Sequence, residues 1–434
     1  MIFLIIYINL FLSIFVFFVD NDFLLNNGYL FFACQHLVNF YFLFTRVKFA
    51  YSLFMPSFLI LVYMAISQIF GGYLLPKDVG WDKSFSDHYF SIYNLDFILF
   101  YLMLFNFILF CLSVFFYEKN KKDYEIFYFR ELGSGSLIVV VFLFIMPFFL
   151  NIPWMFPLQL ALIFLFFTNE RIIRFKYKYF MYIFVILTML VLNYNNKREI
   201  VMVVMSLIFL EFYINKTKID FKIISGLSLV VFLSIVFVLI ASILRGYGDL
   251  DNRNLLSAFM YLPKYIASDN FLDSFSDNFE LTYTYAVSLI SIDFLLNGRL
   301  DLQYGLSIIK PLFLLFPRSI FEIKPESIIM VFTKEYNYSM YVSGVSYPVV
   351  IPSEFFLNFH IFSLPISVFI FYIFNKIFFS LRKYSIGSVK FIFISYLAIM
   401  FFIFIRGSGL DLLIFNFFLG GTLVFIFKYA YHSR

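Results

Sequence analysis

Residues 97–117 read FILFYLMLFNFILFCLSVFFY, twenty-one consecutive positions without a charge. A helix needs about 20 apolar residues to cross the hydrocarbon core of a bilayer. This run is long enough to do so. Similar apolar runs lie near 1–19, 29–45, 50–70, 136–150, 155–168, 180–194, 199–214, 223–243, 353–374, 391–405 and 411–427. Backbone groups in lipid must bond within their own segment, so these runs predict helices rather than open sheet. The whole composition agrees. Hydrophobic residues make up 62% of the 434-residue chain and charged residues 14%, against about 45–50% and about 25% in soluble globular proteins. The expected fold is an all-α polytopic integral membrane protein of about 12 transmembrane helices, up to about 14, with one large loop on the outer side.

That loop is the longest polar interruption, residues 244–352. It divides the chain into an N-terminal membrane bundle of about nine helices (1–243), the loop itself, and a C-terminal bundle of about three helices (353–434). Two semi-apolar pieces inside it, near 282–296 and 305–317, predict surface-lying helices or a shallow re-entrant pair. An even number of full crossings there would leave the topology unchanged. The first run, 1–19, lacks a basic leader and a small-residue cleavage site and is expected to stay as the first helix.

Loop charge predicts the orientation. The loops 46–49, 118–131, 169–179, 215–222 and 375–390 with the tail 428–434 hold 19 Lys and Arg, and the alternating short loops hold 5. The positive-inside rule places the first set, and both termini, in the cytoplasm. The interruption then faces outward with 8 basic and 11 acidic residues.

Several function classes are disfavoured. There is no Walker-type Gly-rich loop and no His/Cys metal spacing. The four histidines, His36, His88, His360 and His432, are scattered, and Cys34 and Cys111 both sit in apolar stretches as small buried hydrophobes. No cofactor, metal or nucleic-acid partner is expected.

Basic residues on the expected outer side stand out, because the charge rule disfavours them there. Lys197 and Arg198 fall in a short turn, Arg245 directly follows a span, and Arg406 sits in Ile405-Arg406-Gly407-Ser408-Gly409. Three arginines at span mouths would suit an anion at the membrane surface, since guanidinium presents a planar fork of donors to phosphate oxygens. The plainer reading is that each snorkels to headgroup phosphates. In Phe316-Pro317-Arg318-Ser319-Ile320-Phe321-Glu322-Ile323-Lys324-Pro325-Glu326, two prolines bracket Arg318 and Lys324, a rigid basic edge suited to a sugar and a phosphate or a simple solvated loop. In Gly344 to His360, Glu354 opens an apolar run with Asn358 one turn on, on the same helical face. An ionisable group at a membrane mouth is a functional candidate as general base, or else an acid favoured by the dipole of its own helix. The acid pairs Asp20/Asp22 and Asp249/Asp251 would suit a divalent metal, but such spacings arise often by chance.

At these residues the chain resembles the O-antigen polymerases, the Wzy-type oligosaccharide repeat-unit polymerases of bacterial surface polysaccharide assembly. The layout is similar throughout and most specific over 316–360. The family's Pro-Arg and Lys-Pro pairs correspond to Pro317-Arg318 and Lys324-Pro325. Gly344, Ser346-Tyr347-Pro348, Glu354 and Asn358-Phe359 follow the family's later pattern. Phe356 and His360 depart from it, standing where Tyr and Gly are expected. The resemblance implies glycosyl transfer of a growing chain from undecaprenyl pyrophosphate to a new lipid-linked repeat unit at the periplasmic face of the inner membrane. Arg198, Arg245, Arg318 and Arg406 would clamp the pyrophosphate, with Lys324, Tyr347 and Asn358 in the binding set. Glu354 would take the acceptor proton, with His360 as the alternative. Tyr336, Tyr338, Tyr341 and Tyr347 would stack on sugars or form an interfacial aromatic belt. A chain-length regulator and a flippase are the partners such an enzyme would meet. The rivals are an O-antigen ligase, a polyprenyl-phosphate-dependent glycosyltransferase using Asp20 and Asp22, and a lipid-linked oligosaccharide flippase or transporter. Transporters carry polar groups at mid-membrane, and the spans here, nearly free of charge, predict instead that polar capacity is concentrated in the outer loop.

Overall fold

In a computed structural model the chain is described over residues 2–79, 82–119, 125–126, 140–146, 156–192, 197–244, 254–268, 271–314, 319, 324–405, 407 and 409–432. Among the described residues the fold is all-helical, with no strand and one isolated bridge, Phe49 to Lys218. The helices that place the site are α1 (Ile2–Phe15), α2 (Tyr29–Arg46), α3 (Pro56–Ile66), α4 (Leu95–Lys119), α5 (Lys197–Ile214), α6 (Leu281–Leu296), α7 (Ile351–Phe359), α8 (Ser363–Phe379), α9 (Val389–Ile405) and α10 (Leu410–His432).

Local chemistry sets their limits. α4 grows from the charge-free run 97–117, with Asp96 in its first turn and Lys119 in its last, each placed to suit the helix dipole. Pro56 opens α3, where its missing N–H costs nothing. α3 continues through a π turn, Ser67–Gly71. α7 and α8 are broken at His360, whose φ is +51°. Pro365 explains the break, because it has no N–H to offer the Ile361 carbonyl one turn back.

Three helices among the described residues are long and apolar enough to cross a membrane: Pro56–Lys77, Leu95–Lys119 and Ile351–Lys383. A fourth is reached if the bent pair Phe271–Asp277 and Leu281–Leu296 counts as one. The other apolar helices, including Ile2–Phe18, Phe156–Phe167 and Lys178–Met189, are shorter. Twelve crossings are therefore not reached by length and composition. Lys197 and Arg198, expected in a turn, lie in the first turn of α5.

Buried polar side chains pin the apolar helices together. Asn9 on α1 and Asn39 on α2 exchange hydrogen bonds at 2.8 and 3.2 Å. The Asn375 amide on α8 donates to Ser57 Oγ at 2.8 Å, accepts Ser57 N–H at 3.2 Å, and Ser57 meets Ser113 on α4 at 3.0 Å. Where no hydrophobic force separates helix from lipid, such bonds act as glue between helices.

α6 settles one alternative for residues 282–296: it is buried, not surface-lying. With Phe271–Asp277 it forms a bent pair, a broken span or a re-entrant loop. The seven-residue helix Ser84–Phe90 touches it near both ends: Phe85 meets Tyr283 at 6.2 Å and His88 meets Phe294 at 5.9 Å between ring centroids. α6 lies across the end of the bundle that carries the 71–96 segment and is buried over nearly its whole length. Gly71 and Gly72 in α3's continuation make room for it. A Cβ on Gly71 would run into the Leu281 carbonyl oxygen, and one on Gly72 would press on the Tyr285 ring at 3.3 Å.

Candidate functional site

The first turn of α7 is held from three sides. Tyr101 of α4 donates to the Pro352 carbonyl at 2.9 Å, and Ser353 Oγ donates to the Ser288 carbonyl of α6 at 2.9 Å. Glu354 is fully buried, and both its carboxylate oxygens accept the Leu410 N–H, at 2.8 and 3.0 Å. Leu410 is the first residue of α10. Glu354 therefore satisfies a free N–H at the start of another helix, 56 residues away.

The turn before α10 is shaped to reach this acid. Gly407 and Gly409 have φ of +89° and +92°, a region that L side chains rarely enter. A Cβ on Gly407 would lie 2.8 Å from the Val349 carbonyl oxygen, so the turn packs directly on residues 348–349. One turn along α7, the Asn358 amide donates to Ser307 Oγ at 2.9 Å and to the Glu354 carbonyl at 2.8 Å. Ser307 and Lys310 belong to the helix Leu306–Leu314, and Lys310 pairs with Asp411 at 2.8 Å. The motif 344–360, the start of α10 with Gly407 and Gly409, and the helix Leu306–Leu314 thus meet at one buried polar cluster.

Of the proposed arginine clamp, Arg245, Arg318 and Arg406 lie outside the described residues. Arg198 is placed, with its guanidinium 3.6 Å from Glu280, at the joint before α6. His360 is exposed at the α7–α8 break, its ring 4.8 Å from that of Phe356. Lys324 is half-buried.

The tyrosines divide. Tyr347 is buried, not offered to solvent: its hydroxyl donates to Asp82 Oδ2 at 2.7 Å, while Ser84 Oγ donates to Asp82 Oδ1 at 2.6 Å and meets the Tyr336 hydroxyl at 2.6 Å. Tyr336 stacks on Phe85 at 4.9 Å, and Tyr347 stands edge-on to Phe85 at 5.3 Å. Burial, then the hydrogen bond to Asp82, pushes the Tyr347 hydroxyl well above the usual tyrosine range. These two rings dock the 71–96 segment onto the long interruption. Tyr338 and Tyr341 instead stack on each other at 5.9 Å with Tyr338 exposed, and Tyr341 donates to Glu326 at 2.8 Å. They form a ring platform that begins thirteen residues past Pro325.

Sequence reasoning overlooked two features. One is the 71–96 segment as a structural partner of the interruption, which Asp82 and Ser84 beside Phe85 and Tyr89 signal. The other is a polar cluster inside the bundle, His36, Gln35, Gln68 and Asn106, all buried. It departs from the expectation that polar capacity is concentrated in the outer loop. Its residues are uncharged, so a count of charges passes over them. Among the described residues no group of three His, Cys, Asp or Glu is placed to hold a metal ion, and Asp249 and Asp251 lie outside them.

The fold defines a helical bundle with apolar helices of membrane-spanning length and a roofed polar end. No family model, curated protein or solved structure matches the chain.

Proposed function

We propose that the chain is a bacterial inner-membrane enzyme of about a dozen spans, both termini cytoplasmic, that polymerises undecaprenyl-pyrophosphate-linked oligosaccharide repeat units at the outer face. The observation that carries this reading is the Glu354–Leu410 contact. It joins the motif helix to the start of α10, just after Gly407 and Gly409, beside the helix Leu306–Leu314. The helix Leu306–Leu314 and the Gly407 and Gly409 positions, far apart in sequence, thereby meet at one cluster.

In the proposed reaction the acceptor hydroxyl oxygen bonds to the anomeric carbon. The bond from that carbon to undecaprenyl pyrophosphate breaks, and the leaving pyrophosphate keeps the electron pair. Fixed cations beside it lower the barrier because charge develops there. Arg198, Arg245, Arg318 and Arg406 take that role. Glu354, with both oxygens on one backbone N–H, acts as a positioning residue for the Arg406 turn. The acceptor proton goes to exposed His360. Lys324 and the Tyr338–Tyr341 platform face the glycan, and Asn358 and Tyr347 hold the walls.

The reading is tested by deleting the gene and displaying surface lipopolysaccharide on a gel beside a complemented control. Core bearing a single repeat unit, with the ladder restored by complementation, is expected. Lipid-linked long chains with bare core would mean a ligase. An unchanged ladder would remove the protein from this pathway. The buried His36 cluster favours a second reading, a lipid-linked oligosaccharide flippase or transporter, for which bare core without polymer is the expected result.

A further inference from the structure

Among the described residues three polar nodes lie between the apolar helices, and they are not alike. In the Asn9–Asn39 pair and the Ser57–Ser113–Asn375 set, the side-chain groups answer one another. The third node is His36 and Gln35 on α2, Gln68 in the π turn after α3, and Asn106 on α4. Each is 1% exposed or less, yet three of its polar atoms have no partner: His36 Nδ1, Gln68 Nε2 and Asn106 Oδ1.

The hydrogen positions in this node follow from one fixed point. The Met103 backbone carbonyl is an acceptor only, so the Gln35 group 2.9 Å away is its amide nitrogen. Gln35 Oε1 is then an acceptor, and the Asn106 group 3.1 Å from it is Nδ2. Asn106 Nδ2 also donates to Gln68 Oε1 at 2.8 Å. That same oxygen stands 2.9 Å from His36 Nε2, which must therefore carry the proton. Turning Gln35 or Gln68 over would set donor against donor, and turning Asn106 over would set acceptor against acceptor. What remains is two acceptors, His36 Nδ1 and Asn106 Oδ1, and one donor group, Gln68 Nε2.

That remainder selects its ligand. A metal cation would face the Gln68 N–H groups and find no carboxylate in the node, and an anion would face two lone pairs. A buried ion without a counter-charge is strongly disfavoured. Water has the matching complement, two donors and two acceptors. The depth of the node sharpens the cost of those unpartnered groups. His36 is ten residues from Arg46 and Asn106 eleven from Leu95, about 15 Å of helix rise in each case. The node therefore sits deep within the helices, far from bulk water. The π turn Ser67–Gly71 contributes by redirecting Gln68 toward α2 and α4, as such turns do where a helix carries a site.

We propose that this node is a built water-binding site inside the bundle. One bound water donates to His36 Nδ1 and Asn106 Oδ1 and accepts from Gln68 Nε2, adding a link between α2, α3 and α4 beside their direct hydrogen bonds. The proposal is independent of the glycan reading.

The test is pulsed hydroxyl-radical footprinting of the full-length protein in phospholipid nanodiscs, where radicals formed from bound water oxidise the side chains around it. His36 is expected to be oxidised although it is buried. Asn106→Leu is expected to lower that labelling several-fold, and the paired change Asn9→Leu with Asn39→Leu at a closed node should leave it unchanged. Absence of His36 labelling in the unaltered protein overturns the proposal. So does labelling that survives Asn106→Leu. Should that variant fail to fold, a cryo-electron-microscopy map at a resolution that shows ordered waters decides. Density touching all three atoms supports the site, and side chains closed over an empty node refute it.

Discussion

Glu354 is where one residue decides between two chemistries. A general base must reach its substrate, whereas this carboxylate is fully buried with both oxygens on the Leu410 N–H. Glu354→Gln keeps an acceptor oxygen for that N–H, and Glu354→Ala leaves it bare. An orphaned buried donor costs about 1–3 kcal/mol, and the loss of buried volume adds to it. We expect Glu354→Ala to lower the unfolding temperature clearly and to abolish long glycan chains, and Glu354→Gln to retain most of both. A glutamine variant that unfolds normally but makes no polymer would return Glu354 to the role of base. A second residue carries a pH dependence. His88 is held below its usual 6.5, chiefly by burial and then by the Arg299 guanidinium, against Asp87, Asp82 and Asp293, which raise it. A histidine depressed in the folded state adds stability above its unfolded value, and that stability is lost as the pH falls below it. Mild acid should therefore loosen the Ser84–Phe90 helix from Phe294 and Tyr336. Hydrogen exchange of residues 84–90 would show faster exchange at mildly acidic than at neutral pH. The same change in His88→Phe would exclude this cause.

At the scale of elements, the seam between α6 and the α3 continuation is the sharpest prediction. Alanine is favoured over glycine inside a helix by about 1 kcal/mol. Gly71 has helical backbone angles, with φ of −62°, so propensity alone would make Gly71→Ala stabilising. A Cβ there has no room against the Leu281 backbone, and overpacking costs about 1–3 kcal/mol or more. The clash wins, and Gly71→Ala should lower the thermal midpoint in detergent. Gly226→Ala is the control, because nothing lies within 4 Å of a Cβ at that site, and it should be neutral or slightly stabilising. Equal effects from the two changes would sink the seam. The same elements mark what the sequence discloses. The runs 29–45 and 97–117 predict helices that the structure places at Tyr29–Arg46 and Leu95–Lys119, because apolar length and end charges are local information. The burial of α6 was not legible. Its Ser, Thr and Tyr content reads as interfacial, and only Gly71, Gly72 and Ser353, up to some 200 residues away in sequence, make a place for it. The His36 node was hidden for the same reason: Asn106 meets partners 38 and 71 residues back in sequence. The candidate site was half legible. The motif 344–360 marks the right segment, but the task of Glu354 depends on Leu410, which no spacing rule connects to it.

For the whole molecule, the Ile351–Lys383 helix pair ties site to bilayer. Thirty-three residues rise about 50 Å if straight, far more than the roughly 30 Å hydrocarbon core. Lys376, Arg382 and Lys383 at its far end belong with the basic side of the bundle. Counting back from them, about 20 residues span the core, which leaves α7, Glu354 and the His360 break near the opposite surface. The geometry makes sense only if the roofed end faces away from the cytoplasm, and that is directly measurable. With Cys34 and Cys111 replaced, a single cysteine at Tyr93, an exposed position in the 71–96 segment, should react with a membrane-impermeant maleimide in intact spheroplasts. A cysteine at Ser385, in the basic loop after α8, should react only after lysis. The opposite pattern would put the roofed end in the cytoplasm, where undecaprenyl-linked chains are not extended in the proposed reaction, and the polymerase reading would fall together with the orientation. Labelling of Tyr93→Cys alone keeps the site on the face where a flipped lipid-linked substrate arrives.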